Sequence, residues 1–239
     1  MIGLGLSDEK DISVKGFETI KKCGISFLES YTSLLQCPRE RLEEFLGVKL
    51  HPASREMVED GEEILRQATD QEVAFLVVGD VFSATTHIDL ALRARKRGIK
   101  VNVIHNASII SSIGIVGLEV YKYGKVTSIP FHHKHVKTPI TVYRTNDNCG
   151  LHTLFLLDLD PVDSKFLSIP EAIGYLIANG ISAKTLGVSC ARIGGSDFLI
   201  RTGTLDDLRQ GEYGKPPYCL VIPSKMHFME EEALEQWKR

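Results

Sequence analysis

Short apolar runs alternate with amphipathic segments along the first half of the chain. Such runs predict strands that are buried on both faces, and the segments between them carry apolar residues at helical spacing. The predicted strands cover residues 1–4, 25–28, 73–78, 101–104 and 126–129, and the predicted helices cover residues 14–23, 39–45, 56–67, 88–97 and 109–121. The alternation predicts an α/β domain whose mostly parallel, five-stranded sheet is covered by helices on both sides.

The pattern changes between residues 131 and 148, where histidines, a proline and a polar run replace the apolar periodicity. We therefore place a domain boundary near residue 130, which gives an N-terminal α/β domain over residues 1–130 and a C-terminal α/β domain over residues 131–239. The second domain is predicted to hold strands at 152–157, 186–191 and 219–222 and helices at 170–179 and 229–237. Because few helices separate these strands, we expect a mixed sheet.

Composition narrows the class of protein. The 239 residues carry a net charge of −3 and a pI near 6.2, which argues against binding of nucleic acid over a broad surface. The five cysteines are odd in number and form no CxxC pair, a pattern typical of reduced thiols. No apolar run is long enough for a membrane span, and the N-terminus lacks the features of a signal peptide, so we expect a cytoplasmic protein.

The opening IGLGLSD resembles half of a dinucleotide fingerprint, with Gly3 and Gly5 as its first two glycines. Its third glycine would fall at Asp8, and an acid is the wrong residue beside a pyrophosphate. The two glycines are therefore interpreted as a tight turn. Glu29, at the end of the second strand, is a candidate ribose ligand and keeps a nicotinamide cofactor open as an alternative.

The stretch VVGDVFSATTH presents an acid where a strand ends, and such ends are where ligands bind in open α/β sheets. Thr86 and Asp89 fit a helix capping box, so helix capping accounts for the hydroxyl residues. Capping leaves Asp80 unexplained. Its carboxylate could accept hydrogen bonds from a ribose or an amino group, or face a cationic ligand.

Histidines offer weaker candidates. His105 follows the fourth predicted strand and by itself is interpreted as a structural histidine, with Asn106 or Ser108 as the N-cap of the next helix. His132, His133 and His135 resemble a metal-binding tract, but no carboxylate or cysteine stands at matching spacing, so a solvated linker is favoured and no metal is predicted. Hydrolase and Walker motifs are absent from the sequence.

Several blocks in order carry a family resemblance. They are IGLGLSDEKDISVKG, FLESYTSLL, VVGDVFSATTH, HNASIISSIGIVGLEVYKYGK, GLHTLFLLDLD and CARIG. In this order they resemble the diphthine synthases (diphthine methyl ester synthases), methyltransferases of the tetrapyrrole methylase-like fold that use S-adenosylmethionine and release S-adenosylhomocysteine. The resemblance implies two α/β domains with the cofactor in the cleft between them, and a homodimer.

Matched residue by residue, the resemblance implies a set of cofactor contacts drawn from both halves of the chain. They are Leu6, Asp80, Ser83, Ser108, Ile109, Leu157, Ala191 and His227. No catalytic residue is implied. Two positions depart from the family pattern, namely Val81, where a proline is usual, and Ser224, where a glycine is usual.

The implied substrate is the 3-amino-3-carboxypropyl-histidine of a translation elongation factor. The amine would be trimethylated, and the carboxylate would also become a methyl ester, because HNASI and YKYG resemble eukaryotic members. Two alternatives remain at this point. One is a methylase of the same fold acting on a small tetrapyrrole, and the other is a non-catalytic scaffold.

Overall fold

A computed structural model describes residues 1–29, 31–160 and 163–238. The chain separates into two compact units, the first ending at Ile110 and the second beginning at Ser111. This division comes earlier than the boundary expected near residue 130. The difference arises because the strand at 127–129 pairs with a strand of the second unit, at Phe155 to Leu157.

The first unit is a parallel sheet covered by helices. Its strands are β1 (Ile2–Gly3), β2 (Ile25–Glu29), β3 (Leu50–Ala53) and β4 (Val73–Val77), and its helices are α1 (Val14–Ile20), α2 (Arg39–Leu46), α3 (Arg55–Asp60), α4 (Glu62–Asp70) and α5 (Ile88–Lys96). Over the described residues the strand order is β1-β4-β2-β3, with every pairing parallel. A short helix α6 (Ile109–Ser112) follows.

Apolar clusters cover both faces of this sheet, as the strand pattern predicts. On one face, Leu4 and Leu76 pack with Ile20 of α1 and Leu42 of α2. On the other face, strand residues Phe27, Phe75 and Val77 pack with residues of α3, α4 and α5. Since the apolar side chains on both faces are covered, function in this unit is left to the loops at the ends of the strands.

The second unit is built on a mixed sheet. Its strands are β5 (Thr127–Ile129), β6 (Thr153–Leu157), β7 (Leu159–Asp160), β8 (Lys165–Phe166), β9 (Leu186–Ala191), β10 (Leu199–Thr204) and β11 (Tyr218–Ile222), and its helices are α7 (Thr138–Asn148), α8 (Ile169–Ala178), α9 (Leu205–Arg209) and α10 (Phe228–Glu235). The main sheet has the order β10-β9-β11-β6-β5, antiparallel except for β5 and β6. The fold class predicted from the sequence is thus confirmed.

Three elements of the first unit differ from the prediction. The fourth predicted strand, at 101–104, is reduced to one bridge between Ile104 and Ile2, because β1 offers only two paired residues. The helix expected at 56–67 breaks into α3 and α4 at Gly61, whose φ of +69° is left-handed. The sequence pattern missed β3, an edge strand in which Pro52 costs no central hydrogen bond.

Two elements beyond α5 also differ. The long helix expected at 109–121 is one turn, α6, followed by 3₁₀ turns at Ile113–Val116 and Val120–Lys122; Gly117, at a φ of +104°, ends the first of them. The segment expected to be an irregular linker holds α7, whose Pro139 stands in the first turn, where proline is tolerated. Buried Ile140 and Val142 anchor this helix despite its poor helix formers.

Candidate functional site

The carboxyl ends of β1 and β4 meet at one edge of the parallel sheet. Beyond those ends, Gly5 and Gly79 exchange backbone hydrogen bonds of 3.2 and 2.7 Å. The chain that leaves Ile104 reaches the same edge, because the Ile104 carbonyl accepts the N–H of Gly3. Three loops, each beginning where a strand or extended segment ends, therefore lie side by side, which is the usual ligand-binding position in such sheets.

The glycines of IGLG are needed for this packing. A Cβ on Gly3 would lie 2.6 Å from the carbonyl oxygen of Gly79, and Gly5 has a φ of +84°. The carboxylate of Asp11 accepts the N–H groups of Leu6 and Ser7 at 3.1 and 2.8 Å. Because a side chain of the same loop takes the donors that a pyrophosphate would need, the loop is a tight turn and not an anion cradle.

Glu29, the candidate ribose ligand, is also engaged by its neighbours. It is buried, and its carboxylate accepts the N–H groups of Tyr31 and Thr32 and the Thr32 hydroxyl at 2.5 to 2.7 Å. Three of the roughly four acceptor positions of this buried carboxylate are thus taken by its own loop, and nothing among the described residues directs it towards a ligand. The nicotinamide alternative therefore finds no support in the first unit.

Asp80 joins two of the loops. One carboxylate oxygen accepts the Phe82 N–H at 3.0 Å and the Ser83 hydroxyl at 3.3 Å. The other oxygen contacts Nδ1 of His105 at 2.8 Å and accepts the Asn106 N–H at 3.2 Å. Burial disfavours the charged form, but the hydrogen bonds outweigh burial and hold the pKa of Asp80 below its usual value.

The hydroxyl residues that follow do not act as helix caps, so the predicted capping box is wrong. The N-cap of α5 is His87, which has helical φ and ψ angles and makes no side-chain cap bond. The Thr85 hydroxyl donates to the Val81 carbonyl at 2.7 Å, and Nδ1 of His87 lies 3.3 Å from the same oxygen. Val81 itself is fully buried, so this departure from the family pattern adds a core side chain.

His105 is the exposed member of the Asp80 pair. Its side chain is 69% exposed, whereas the Asp80 side chain is 10% exposed. The imidazole also packs edge-on against Phe82, with ring centroids 6.4 Å apart. No sequence pattern connects His105 with Asp80, because the pairing depends on two strand ends that become neighbours only in the folded sheet.

The predicted residues of the first half lie around this pair. Ser83 binds Asp80 directly, and Ser108 adjoins Gly79, since a Cβ on that glycine would lie 3.9 Å from the Ser108 Cα. Ser108 is buried, and Ile109 follows it as the first residue of α6. Leu6 is linked through Asp11, whose backbone carbonyl accepts the Asn106 amide at 3.0 Å.

In the second unit, Leu157 and Ala191 occupy one edge of the mixed sheet. Leu157 ends β6 and Ala191 ends β9, and Ala191 pairs with Tyr218 at the start of β11. Both side chains belong to the apolar core of the unit. A ligand contact at either residue must therefore come from the backbone.

His227 lies beyond the opposite edge of that sheet. β11 is antiparallel to β6 and ends at Ile222, which pairs with Thr153 at the start of β6. The sheet therefore separates His227 from Leu157 and Ala191 instead of bringing the three together. His227 is exposed, stands at the N-cap of α10, and stacks on Phe228 with ring centroids 4.2 Å apart.

A buried carboxylate supports the His227 loop. Glu230 accepts the N–H groups of His227 and Glu119 at 2.8 and 2.9 Å. Its carboxylate also binds the Lys122 ammonium and Nε2 of the buried His152, the latter at 3.0 Å. Burial favours the neutral acid, but the bonds from Lys122 and from the backbone N–H groups prevail and lower the pKa of Glu230 to about 2. The sequence pattern did not single out Glu230.

The second departure, Ser224, is accommodated within the same region. Its N–H donates to Nδ1 of His152 at 3.0 Å, and its hydroxyl donates to the Asp147 carboxylate at 2.7 Å. The histidine tract also has local partners: His133 lies 2.9 Å from the Pro130 carbonyl and packs on Tyr175. Within residues 1–29, 31–160 and 163–238, no group of three or more acidic, histidine or cysteine side chains is placed to bind a metal ion.

Comparison with known proteins decides the family. The pattern of the Tetrapyrrole (Corrin/Porphyrin) Methylases matches residues 1–209. The chain belongs to this methylase family. Membership makes the chain a methyltransferase, and it confirms the resemblance seen in the sequence blocks. In the part of this methylase that the structure describes, no helix is both long and apolar enough to span a membrane.

Relatives of this methylase align over nearly its whole length. It is 41% identical to the "Diphthine synthase" of Methanosarcina mazei, over 98% of this chain and 93% of that protein. It is 39% identical to the "Diphthine methyl ester synthase" of Dictyostelium discoideum, over 100% of this chain and 97% of that protein. A crystal structure of diphthine synthase superposes with a TM-score of 0.94 at 35% identity, covering 99% of this chain and 94% of that one.

Proposed function

We propose that this methylase uses S-adenosylmethionine to methylate the 3-amino-3-carboxypropyl-histidine of a translation elongation factor. The amine receives three methyl groups, and the carboxylate then receives one as a methyl ester. The observation that carries this proposal is the full-length similarity to relatives named for both products, diphthine and its methyl ester. A small-molecule methylase acting on a tetrapyrrole is not favoured, because these aligned relatives are named for diphthine.

The residues at the carboxyl edge of the first sheet suit a cationic cofactor. Asp80 is held in its charged form beside the glycine loops, and Ser83 is only partly buried. The absence of a free anion cradle at Leu6 and Ser7 argues against a pyrophosphate, which S-adenosylmethionine does not have. We propose Leu6, Asp80, Ser83, Ser108 and Ile109 as the contacts from this unit.

From the second unit, His227 is the proposed contact whose side chain is available to a ligand. Glu230 fixes its backbone, and the His227 ring is exposed beside Phe228. Leu157 and Ala191 stay in the proposal through their backbone groups alone, since their side chains fill the core.

The cofactor supplies a methyl group on a sulfonium, which is already activated for attack by a neutral amine or a carboxylate. The work left to the chain is to hold both reactants in line and to keep water out. The closely packed, hydrogen-bonded strand ends around Gly3, Gly5 and Gly79 provide such a platform. We place the enzyme in the cytoplasm, where elongation factors act, and propose that it works as a homodimer.

The deciding experiment combines the purified protein, the elongation factor carrying the 3-amino-3-carboxypropyl-histidine, and S-adenosylmethionine with a labelled methyl group. Intact-mass analysis is expected to show three base-stable methyl groups and one that mild base removes. Elongation factor with an unmodified histidine, as the control, should gain none. Absence of label from the modified factor would reject the proposal, and three base-stable groups alone would remove the ester step.

Cofactor binding is tested separately by calorimetry with S-adenosylhomocysteine. Ser83→Ala should weaken binding by about three- to tenfold, the effect of one lost hydrogen bond. Thr85→Ala is the matched control, because the Thr85 hydroxyl binds the Val81 carbonyl within the loop. Equal affinities for the two variants would remove Ser83 from the site.

A further inference from the structure

The contact with Asp80 determines which nitrogen of the exposed His105 imidazole carries the hydrogen in the neutral ring. A charged carboxylate only accepts hydrogen bonds, so Nδ1 of His105 must carry the hydrogen that points to Asp80 across the 2.8 Å contact. In the neutral ring, the other nitrogen, Nε2, then presents a lone pair. The ring is 69% exposed, and Nε2 makes no hydrogen bond within the part of the chain that the structure describes.

We propose that His105 is a catalytic residue that removes protons from the substrate amine, with Asp80 as the positioning residue. The proposal rests on the proposed function, because it concerns the same acceptor group. A histidine whose second nitrogen binds a carboxylate is well suited to proton transfer, because the carboxylate fixes the tautomer and the ring orientation and stabilises the imidazolium that forms.

The reaction requires such a group three times. The substrate enters as R–NH₃⁺ and attacks only after it has lost a proton. Each of the first two methyl transfers forms an N–C bond, breaks the S–CH₃ bond, and leaves an ammonium that must lose a proton before the next attack. In total, R–NH₃⁺ and three sulfonium cofactors give R–N(CH₃)₃⁺, three thioethers and three protons. The Nε2 of His105 accepts each proton and passes it to water.

Ester formation has no such requirement. A carboxylate attacks the sulfonium methyl directly, forming the O–C bond and breaking the S–C bond, with no proton released. Loss of a proton acceptor therefore slows the amine steps alone, whereas loss of a residue that positions either reactant slows both. This difference makes the role of His105 testable.

Among the described residues, the polar contact and the ring contact of His105 come from the first unit. Asp80 is the charged group in contact with the imidazole, and Phe82 is the ring that packs on it. Asp11, on the neighbouring loop, is occupied by the N–H groups of Leu6 and Ser7. Phe82 packs edge-on against the imidazole, and most of the ring is exposed.

The test is His105→Gln, which keeps a polar side chain of similar reach without a basic nitrogen. The exposed His132→Gln is the matched control. Single-turnover methyl transfer is followed by mass, first on the amine substrate and then on a substrate already trimethylated. We expect His105→Gln to slow the amine steps about a hundredfold or more at neutral pH, while ester formation changes less than about threefold. His132→Gln should match the wild type in both.

Two further readouts keep the proposal falsifiable. The rate of methyl transfer to the amine in His105→Gln should rise with pH. It should also rise with added imidazole, which supplies the missing proton acceptor. The imidazole test applies even if the wild type forms no ester. Equal slowing of both steps without imidazole rescue, or no slowing at all, would overturn the role of His105. A wild-type enzyme that labels no substrate would instead reject the proposed function.

Discussion

Both units of this methylase pair a buried carboxylate with a histidine, and the two pairs differ in what surrounds the imidazole. In the first unit, Asp80 contacts His105, whose side chain is 69% exposed. In the second unit, Glu230 contacts His152, whose side chain is 0% exposed. The same two chemical groups therefore meet in one place at a loop surface and in the other inside the core.

The number of bonds on each ring separates their roles. Nδ1 of His152 accepts the Ser224 N–H, so its hydrogen is on Nε2, which binds Glu230. Both nitrogens of His152 are satisfied, and Tyr123 covers the ring at a centroid distance of 5.5 Å. His105 uses one nitrogen and presents the other. Burial and two hydrogen-bonded nitrogens make the His152 ring structural. Exposure and a single fixed hydrogen bond leave the His105 ring able to exchange protons.

The largest difference in stability between the two carboxylate–histidine pairs is expected from a substitution at Glu230. Glu230→Gln removes a buried charge that binds Lys122 and His152, and we expect the free energy of unfolding to fall by about 3 to 5 kcal/mol. Urea denaturation followed by circular dichroism measures the loss. Glu231→Gln, an exposed neighbour on the same helix, should change it by less than about 0.5 kcal/mol. Equal behaviour of the two variants would contradict the central role of Glu230.

Acid should remove the stabilisation that the Glu230 carboxylate provides in the wild type. The folded pKa of Glu230, about 2, lies below its ordinary value of 4.5, so the carboxylate stabilises the fold above pH 4.5 and loses that effect as the pH falls towards 2. The stability difference between the wild type and Glu230→Gln should shrink over this window by on the order of 3 kcal/mol. Denaturation curves at stepped pH measure it, and a constant difference would show that the charge is not responsible.

Asp80 should matter less to stability and more to binding. In Asp80→Asn the amide oxygen can still accept the Phe82 N–H. The NH₂ group that replaces the other oxygen is a donor, so it cannot accept hydrogen bonds from His105 and Asn106. We expect a loss of about 1 to 2 kcal/mol in unfolding free energy and weaker binding of S-adenosylhomocysteine by calorimetry. Asp89→Asn, which affects an i,i+4 ion pair between the exposed Asp89 and the partly buried Arg93, serves as the control at a few tenths of a kcal/mol. Unchanged stability and affinity would make Asp80 an ordinary loop residue.

The smallest stability effect is expected at His105. Because its ring is exposed, His105→Ala should change the unfolding free energy by no more than about 0.5 kcal/mol, whereas His152→Ala should cost several times as much. Thermal unfolding of both variants, with His132→Ala as a surface reference, checks the ranking. A large loss at His105 would show that the two pairs are structurally alike.

The alternation of apolar runs and helical spacing was enough to predict the α/β architecture and most strands, because β2, β4, β9 and β11 are mostly apolar segments. Periodicity could not assign β5 to its sheet, since partner choice depends on contacts with β6 and not on local sequence. The short β3 was missed because Pro52 is tolerated there only by its edge position.

At the site, the sequence singled out Asp80 as an acid that capping could not explain, and its place in the cofactor site stays a prediction. Its partner His105 stands 25 residues away, and their contact depends on two loops that the fold brings together. The capping prediction failed because α5 begins one residue later than expected. Its N-cap residue is His87 and not Thr86. The motif that suggested His227 carries no information on the direction of its strand. Because β11 runs antiparallel to β6, His227 lies away from Leu157 and Ala191.

The contact between Asp11 and the backbone of Leu6 and Ser7 has a consequence for selectivity among cellular nucleotides. Because the Asp11 carboxylate accepts the backbone N–H groups of this loop, we expect the loop to repel polyphosphates such as ATP, which bind to the free N–H groups of other glycine loops. Cellular nucleotides should thus compete poorly with the proposed cofactor, S-adenosylmethionine, which shares the adenosine but lacks the phosphates. Conversely, Asp11→Asn would be the first step in redesigning this loop to accept an anion.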